Sequence, residues 1–287
     1  MSTPESATPT VEPTALASSS AGPLVRIISA VLAEHPAEQT TEQAGGPTAQ
    51  ADHTLTAEDL LRDALAQRHV EVEEVMPGHL LFRFAGYIIG GMQGQLTTLV
   101  SEHSRRIAAD QKLLERFLRH ADVAVPEGSA PPVSTAEEAP AGEGEDSGEE
   151  DTDDEATGGT AEQSSMDVEV FVVGDEAIAA LLRTPAFEHT SEGLVFTDNG
   201  EQQLTVDVTD LLAPGLRALA ADAVTALPGL AAASVTVRTP GVDSAEDAVV
   251  TGITVAPDIL SFHRPNIGRG RDASGALAEK ILRRASR

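Results

Sequence analysis

The sequence predicts an α/β (α+β) fold, and three observations support this prediction. Short, mostly apolar runs rich in β-branched residues, such as 168–173 and 249–255, are typical of β-strands. A longer segment with apolar residues at helical spacing, 211–227, lies between such runs. Turn and stop signals, among them Gly174-Asp175 and Pro228-Gly229, separate the two kinds of segment.

The composition of the 287-residue chain excludes several classes of protein. Forty-six acidic and nineteen basic residues give a net charge of −27, which repels nucleic acid and anionic membranes and makes neither a natural partner. Cysteine is absent, so no disulfide framework and no thiolate zinc site is possible. The sequence shows no signal-peptide pattern and no apolar run long enough to span a bilayer, which predicts a cytoplasmic protein. Seventeen arginines against two lysines, Lys112 and Lys280, favour a bacterial source.

Two polar regions are expected to lack a packed core. Residues 1–54 are predicted to be largely disordered, apart from a short apolar segment at 23–33 that favours a helix. Residues 129–166 are predicted to form a disordered acidic linker, in which positions 137–162 hold twelve acids and no base. The segment 264–287 holds seven bases and two acids, so it could attract the linker or an acidic partner.

The remaining segments, 55–128 and 167–287, are expected to pack as one body, because apolar strands in both call for a common sheet. Thr56, followed by Glu58 and Asp59, is an N-cap signal for the first helix. Gly90-Gly91 predicts a turn. Further helices are predicted at 96–100, 105–118, 211–227 and 275–284, and strands at 70–72, 80–84, 168–173, 178–182, 194–196, 204–208, 235–237 and 249–255.

Motifs in both segments occur in an order that resembles a known family. Asp-Gln-Lys at 110–112 begins a helix that leads to Val-Ala-Val-Pro-Glu-Gly at 123–128, and Arg-Thr-Pro-Ala at 183–186 precedes Pro-Gly-Leu at 228–230. The run Val-Ala-Pro-Asp-Ile-Leu-Ser-Phe-His-Arg-Pro at 255–265 then leads through a Gly/Arg loop to a final helix. This order resembles ATP-grasp carboxylate–amine ligases of the cyanophycin synthetase and glutathione synthetase type.

The resemblance implies a truncated ATP-grasp-like fold. Residues 55–128 would form a small pre-ATP-grasp α/β domain, and residues 167–287 a C-terminal ATP-grasp-like half-domain of a sheet with helices. The family carries its nucleotide-clamping subdomain between these two parts. In this sequence that interval is the acidic linker 129–166, whose carboxylates would repel a polyphosphate.

The resemblance also implies that the metal ligands have been lost. The family holds magnesium with an Asp on one strand and a Glu and an Asn on the next, and the matching positions here are Thr236, Gly252 and Thr254. None of these side chains is anionic, whereas magnesium prefers carboxylate oxygens. The sequence therefore predicts no catalytic residue, no metal site and no cofactor.

Four residues match the substrate side of the family's C-terminal tail: His263, Arg264, Arg269 and Arg271. Arginine pairs bidentately with carboxylates, so these residues are candidates for binding an acidic peptide or an amino acid. The alternative is that they anchor the C-terminal loop against the sheet.

The leading functional hypothesis is a non-catalytic, degenerate ATP-grasp-like protein. It would act as an accessory, regulatory or substrate-binding subunit of a biosynthetic ligase pathway, with a competent ATP-grasp ligase or a second copy of this chain as its partner. One alternative is an ATP-dependent carboxylate–amine ligase whose site is completed by another chain. A second alternative is a plain protein-interaction scaffold.

Overall fold

The structure is a computed structural model, and it describes residues 22–34, 55–127, 165–190, 193–196 and 203–286. The disorder predicted for the rest of residues 1–54 and for most of the linker concerns residues outside these ranges. The described helices are α1 Pro23–Glu34, α2 Ala57–Ala66, α3 Glu102–Ala109, α4 Gln111–His120, α5 Pro214–Thr225, α6 Ile259–His263 and α7 Ala273–Ala285. None of them combines the length and the apolar character that crossing a bilayer requires.

Eleven described strands form three antiparallel sheets. They are β1 Glu71–Met76, β2 His79–Phe84, β3 Tyr87–Gln93, β4 Leu96–Thr97, β5 Met166–Val173, β6 Glu176–Pro185, β7 Phe187–Thr190, β8 Gly193–Phe196, β9 Gln203–Asp207, β10 Ala232–Thr239 and β11 Val249–Thr254. The largest sheet has the order β11-β10-β5-β6-β9, a second has the order β1-β2-β3-β4, and β7 and β8 form a hairpin. The predicted mixed α/β class is confirmed.

The five-stranded sheet buries a different cluster of side chains on each face. On one face Val168, Val170 and Val172 pack with buried residues of α5, including Leu216 and Ala220. Because side chains alternate along a strand, Phe171 and Val173 point to the other face. There they join a second cluster built from the four-stranded sheet and the helices α2, α6 and α7.

This second cluster corrects the prediction of a common sheet. Phe82 of the four-stranded sheet, Phe171 of the five-stranded sheet and Leu277 of α7 belong to one buried cluster, although the two sheets share no paired strands. An isolated bridge between Val100 and Leu230, and a hydrogen bond from the Val250 N–H to the Ala124 carbonyl, link the backbones of the two segments. The two segments therefore meet through apolar faces, because burying those faces satisfies the apolar residues of both without joining the sheet edges.

Two predicted elements around the four-stranded sheet are wrong. Gly90 and Gly91 lie inside β3 and do not form a turn. A Cβ at Gly90 would approach Thr98 Oγ1 to 2.6 Å, and one at Gly91 would approach the Leu80 carbonyl oxygen to 2.6 Å, so glycine is required by crowding. The segment 96–100, predicted as a helix, contains β4 and a turn.

The helix predicted at 105–118 is two helices. Asp110 ends α3 and caps α4, where its side chain accepts a hydrogen bond from the Leu113 N–H at 3.1 Å. The helix start at Thr56 is confirmed, since its hydroxyl accepts from the Asp59 N–H and Asp59 bonds back to the Thr56 N–H. Such a reciprocal cap satisfies two otherwise unpaired backbone donors.

Candidate functional site

The three positions that correspond to metal ligands in the resembled family lie together on one sheet face. Thr236 of β10 pairs directly with Gly252 of β11, and Thr254 pairs with Ser234. These residues alternate with Val235 and Val237, which point into the core on the opposite face. The structure therefore brings Thr236, Gly252 and Thr254 close together, as a metal site would require, but with two hydroxyls and a hydrogen as the side chains.

The nearest carboxylate on this face is already engaged. Glu169 of β5 pairs with Thr236 across the sheet, and its side chain is only 14% exposed. It accepts a hydrogen bond from the Ser234 hydroxyl at 2.6 Å and two from Arg183, at 2.6 and 2.9 Å. The neighbouring carboxylate of Asp167 accepts two hydrogen bonds from Arg238 in the same way. Arginines of the chain thus balance the negative charge on this face.

The loop between α6 and α7 lies against β9 as an additional extended segment. The Asn266 side-chain oxygen accepts hydrogen bonds from the backbone N–H and the hydroxyl of Thr205, at 2.8 and 2.9 Å. Ile267 then exchanges backbone hydrogen bonds with Thr205 and Asp207, forming a parallel bridge to β9. These hydrogen bonds hold the loop against β9 independently of its arginine side chains.

Arg271 is the most firmly held of the predicted site residues. Its Nη2 donates to Asp207 Oδ2 at 2.6 Å and to Asp210 Oδ2 at 2.7 Å, and Nε and Nη1 make two further bonds to the same carboxylates. Asp207 is 3% exposed and also accepts from the Thr209 hydroxyl. This geometry agrees with the anchoring alternative for Arg271, because its donors already serve carboxylates of the chain.

The ion pairs shift the pKa of Arg271 and of Asp210. Burial opposes the charge of Arg271, but hydrogen bonds to Asp210 and Asp207 outweigh it, so the pKa of the guanidinium lies above its ordinary value. The hydrogen bond from Arg271 lowers the pKa of Asp210. Arg271 and Asp210 are therefore both charged at neutral pH.

His263 holds the start of α7. Its Nε2 accepts a hydrogen bond from the Ser274 N–H at 2.9 Å, which requires an unprotonated Nε2. Burial is the main cause that lowers the pKa of His263; the charge of Arg264 adds to it and that of Asp272 opposes it. The ring is therefore neutral at pH 7 and serves as an acceptor for a helix N-terminus.

The remaining two predicted residues face solvent. Arg264 and Arg269 are exposed, and neither side chain forms an ion pair with any residue that the structure describes. Arg269 contributes to the electrostatic field at Asp210, which places it near the Arg271 cluster. Of the four predicted residues, two hold the loop and two leave their charges available.

Several residues of this region were not predicted from the sequence. Asp207, Asp210 and Asn266 secure the C-terminal loop, and Glu169 occupies the sheet face beside Thr236. The partners of Arg271 lie 61 and 64 positions away in sequence, so no local pattern indicates them. The available signal was a carboxylate between two apolar residues, since Asp207 lies between Val206 and Val208 and a buried acid usually has a partner.

Lowering the pH is expected to destabilise the protein through His263. Because the folded pKa lies below the ordinary value of about 6.5, the unfolded chain binds more protons as the pH falls through that value. This contribution to the free energy of unfolding is complete above about pH 7, decreases below about pH 6.5 and levels off once the folded pKa is passed.

The His263→Gln variant retains an acceptor but no titrating group. Urea denaturation at several pH values between 5 and 8 should show a shallower pH dependence for His263→Gln than for the wild type. The exposed His120 supplies the matched control, His120→Gln. If His263→Gln and the wild type show parallel curves, the predicted role of the neutral ring is wrong.

Comparisons with known proteins identify the fold. No protein family and no curated protein matches the sequence. Among solved structures, a bifunctional glutathione synthetase from Pasteurella multocida matches with a TM-score of 0.58 and 14% identity, covering 79% of this chain and 44% of that one. The ATP-grasp ligase PsnB, in a complex with its minimal precursor, matches with a TM-score of 0.30 and 15% identity, covering 42% of this chain and 34% of that one.

The chain thus spans less than half the length of the glutathione synthetase that it matches. The likeness at this level of identity concerns the fold, and it agrees with the order of motifs along the sequence. The chain therefore has a mixed α/β, ATP-grasp-like fold.

Proposed function

We propose that this protein is a non-catalytic ATP-grasp-like protein, which serves as an accessory, regulatory or substrate-binding subunit of a biosynthetic ligase pathway. One observation carries the proposal. The paired positions on β10 and β11 at which the resembled family holds its metal contain Thr236, Gly252 and Thr254 on a single sheet face.

The chemistry of phosphoryl transfer explains why this observation matters. Catalysis of that reaction depends almost entirely on positioning and on neutralising the charge of the transferring group, usually with magnesium. Two threonine hydroxyls and a glycine offer no anionic ligand for the metal. Glu169, the nearest acid on this face, is bound to Ser234 and Arg183, so recruiting it would break three hydrogen bonds.

The proposal predicts that a metal site can be restored. The wild type should show no submillimolar Mn²⁺ binding by electron paramagnetic resonance, whereas the triple variant Thr236→Asp/Gly252→Glu/Thr254→Asn should acquire it. A Cβ at Gly252 would meet no atom within 4 Å, so a side chain can be introduced there without an immediate clash. Thr251→Asp, which alters a residue of the same strand next to Gly252, is the matched control.

Wild-type Mn²⁺ binding as tight as that of the triple variant would contradict the proposal. It would mean that residues other than those at the family positions hold a metal. Gain of binding in the triple variant alone would support the view that this sheet face has lost its ligands while keeping their geometry.

A second candidate function is a carboxylate–amine ligase completed by another chain. The observation that favours it is a row of residues across the five-stranded sheet, in which Gly252, Thr236 and Glu169 are followed by Leu181 and Asp207. The carboxylates of Glu169 and Asp207 therefore lie on the same sheet face as Thr236 and Gly252. In this case ADP formation should rise more steeply than linearly with protein concentration, as a second copy completes the site.

The proposed subunit would have two kinds of partner, another protein and an acidic peptide or amino acid. A competent ATP-grasp ligase or a second copy of this chain is the proposed protein partner. Exposed Arg264 and Arg269 are the proposed contacts for an acidic peptide or an amino acid, because neither forms an ion pair with a described carboxylate. His263 and Arg271 would hold the loop that presents them.

A further inference from the structure

A cleft lies where the two packed segments meet. It is bounded by α7, by the turn between β5 and β6, and by the loop between α5 and β10. That loop is fixed to the first segment, since the Ser101 hydroxyl donates to the Pro228 carbonyl at 3.2 Å and the Ala231 N–H donates to the Leu99 carbonyl at 2.9 Å. The cleft has a volume of about 380 Å³, which is within the range of small-molecule sites.

Positive charge dominates the walls of this cleft. Lys280, Arg283 and Arg284 line it from α7, where their spacing of three and four residues places them on one helix face. Asp175 is the one carboxylate among the described lining residues. Three cations and one anion give the cleft a formal charge of +2, in a chain whose net charge is −27.

The three cations differ in how far their charges are balanced. Arg283 pairs with Glu279 on the exposed side of α7. Arg284 donates to the Thr98 carbonyl oxygen at 2.9 Å, which orients the guanidinium without neutralising it. Lys280 forms no ion pair with any residue that the structure describes, and neither does Asp175. Two unbalanced cations, Lys280 and Arg284, are therefore separated by one helical turn.

The backbone at the cleft makes room for these charges. Gly174 has a φ of +74°, which other residues rarely adopt, and a Cβ there would collide with Lys280 Nζ. Gly229 has a φ of +80° and also lines the cleft, and its N–H donates to no acceptor among the described residues. Glycine at 174 therefore lets the turn approach α7 closely, and glycine at 229 lets the loop approach Ser101 closely.

A neighbouring cavity provides a contrast. It has a volume of about 250 Å³ and shares Lys280 and Arg283 with the first, adding Arg68. Four carboxylates line it, those of Asp175, Glu176, Asp272 and Glu279. Its formal charge is −1, so an anion is favoured in the first cleft and disfavoured in the second.

We propose that the cleft lined by Lys280 and Arg284 binds a compact dianion. An ammonium and a guanidinium one turn apart suit either a phosphate group or a pair of carboxylates, because each can form charge-assisted hydrogen bonds to anionic oxygens. The ligand is therefore inorganic phosphate, a phosphate monoester or a small dicarboxylate such as glutarate. This inference holds whether or not the sheet face binds a metal.

The competing explanation is that these cations only stabilise α7. Lys and Arg near a helix C-terminus interact favourably with the helix dipole and need no ligand. That explanation predicts effects of substitution on stability but no saturable binding, so a binding measurement separates the two.

The scarcity of lysine makes a direct test possible. Reductive ¹³C-dimethylation retains the positive charge and labels the side chains of Lys112 and Lys280, along with the N-terminal amine. Titration with sodium phosphate, and separately with glutarate, is followed by NMR at constant ionic strength. The Lys280 signal should shift saturably with an apparent Kd on the order of 1 mM, whereas the exposed Lys112 signal should not.

Variants complete the test. Arg284→Gln, which keeps the Lys280 signal, should weaken binding of the preferred dianion at least about tenfold, as expected for loss of a charge-assisted hydrogen bond, and the matched Lys112→Gln should leave it unchanged. The dianion that saturates at the lowest concentration identifies the source as phosphate or carboxylate. Signals that do not move, or equal and linear shifts of both lysines with every dianion, would overturn the proposal.

Discussion

Replacing Arg271 with alanine is expected to lower the free energy of unfolding by about 3–5 kcal/mol, the usual cost of removing one partner from a buried ion pair. Asp207 is almost fully buried and would lose its ion-pair partner, keeping the hydroxyl of Thr209 as its hydrogen-bonding side chain among the described residues. Because the guanidinium is one of the links between the C-terminal loop and β9, the loop would also be held less firmly. Urea denaturation followed by circular dichroism measures the loss.

Arg269→Ala is the matched control for this substitution. The residue lies two positions away on the same loop but is exposed, so its removal should change stability by less than about 0.5 kcal/mol. The double variant Asp207→Asn/Arg271→Met should recover part of the loss, since it no longer buries an unpaired charge. Equal effects of Arg271→Ala and Arg269→Ala would contradict the anchoring role.

Replacing Phe171 with alanine is expected to cost about 3–5 kcal/mol, the usual range for a fully buried phenylalanine. Its ring lies 5.3 Å from that of Phe262, centroid to centroid, and none of its surface is exposed. The cluster around it also contains Phe82 of the other sheet, so the substitution removes contacts that join the two segments.

Thermal unfolding monitored at two wavelengths tests this expectation. Phe84→Ala removes a phenylalanine that is 42% exposed and should have a much smaller effect. A single transition, shifted far more by Phe171→Ala than by Phe84→Ala, is expected if the shared cluster couples the segments. Similar shifts for both variants would show that the cluster contributes little.

Local signals in the sequence were sufficient for most elements of the fold. The helix start at Thr56 was predictable because a capping box involves residues only three positions apart. The strands of the five-stranded sheet were predictable because their apolar runs are bounded by turns such as the one at Gly174. In each of these cases the physical cause lies within a few residues.

Features that depend on distant contacts were not predictable in the same way. Gly90 and Gly91 suggested a turn, but they are required by the proximity of Thr98 and Leu80, which only the folded strands bring near. The separation of the two sheets also depends on how apolar faces pack, which periodicity does not specify.

The residues of the candidate site also differ in whether local signals or distant contacts determine their roles. Strand pairing places Thr236 beside Gly252, and the alternation of side chains on two neighbouring strands indicates that they share a face. The role of His263 depends on Ser274, and that of Arg271 depends on Asp207 and Asp210, which are distant in sequence. The sequence therefore left binding and anchoring as alternatives. Arg264 and Arg269 remain a prediction for ligand binding.

Calorimetric titration of the full chain with Mg-ATP tests the central claim most directly. Binding should be absent at micromolar and low millimolar nucleotide, because Thr236, Gly252 and Thr254 supply no anionic ligand for the metal that accompanies the phosphates. Micromolar affinity for Mg-ATP in the isolated protein would contradict the proposal that this ATP-grasp-like fold is not catalytic.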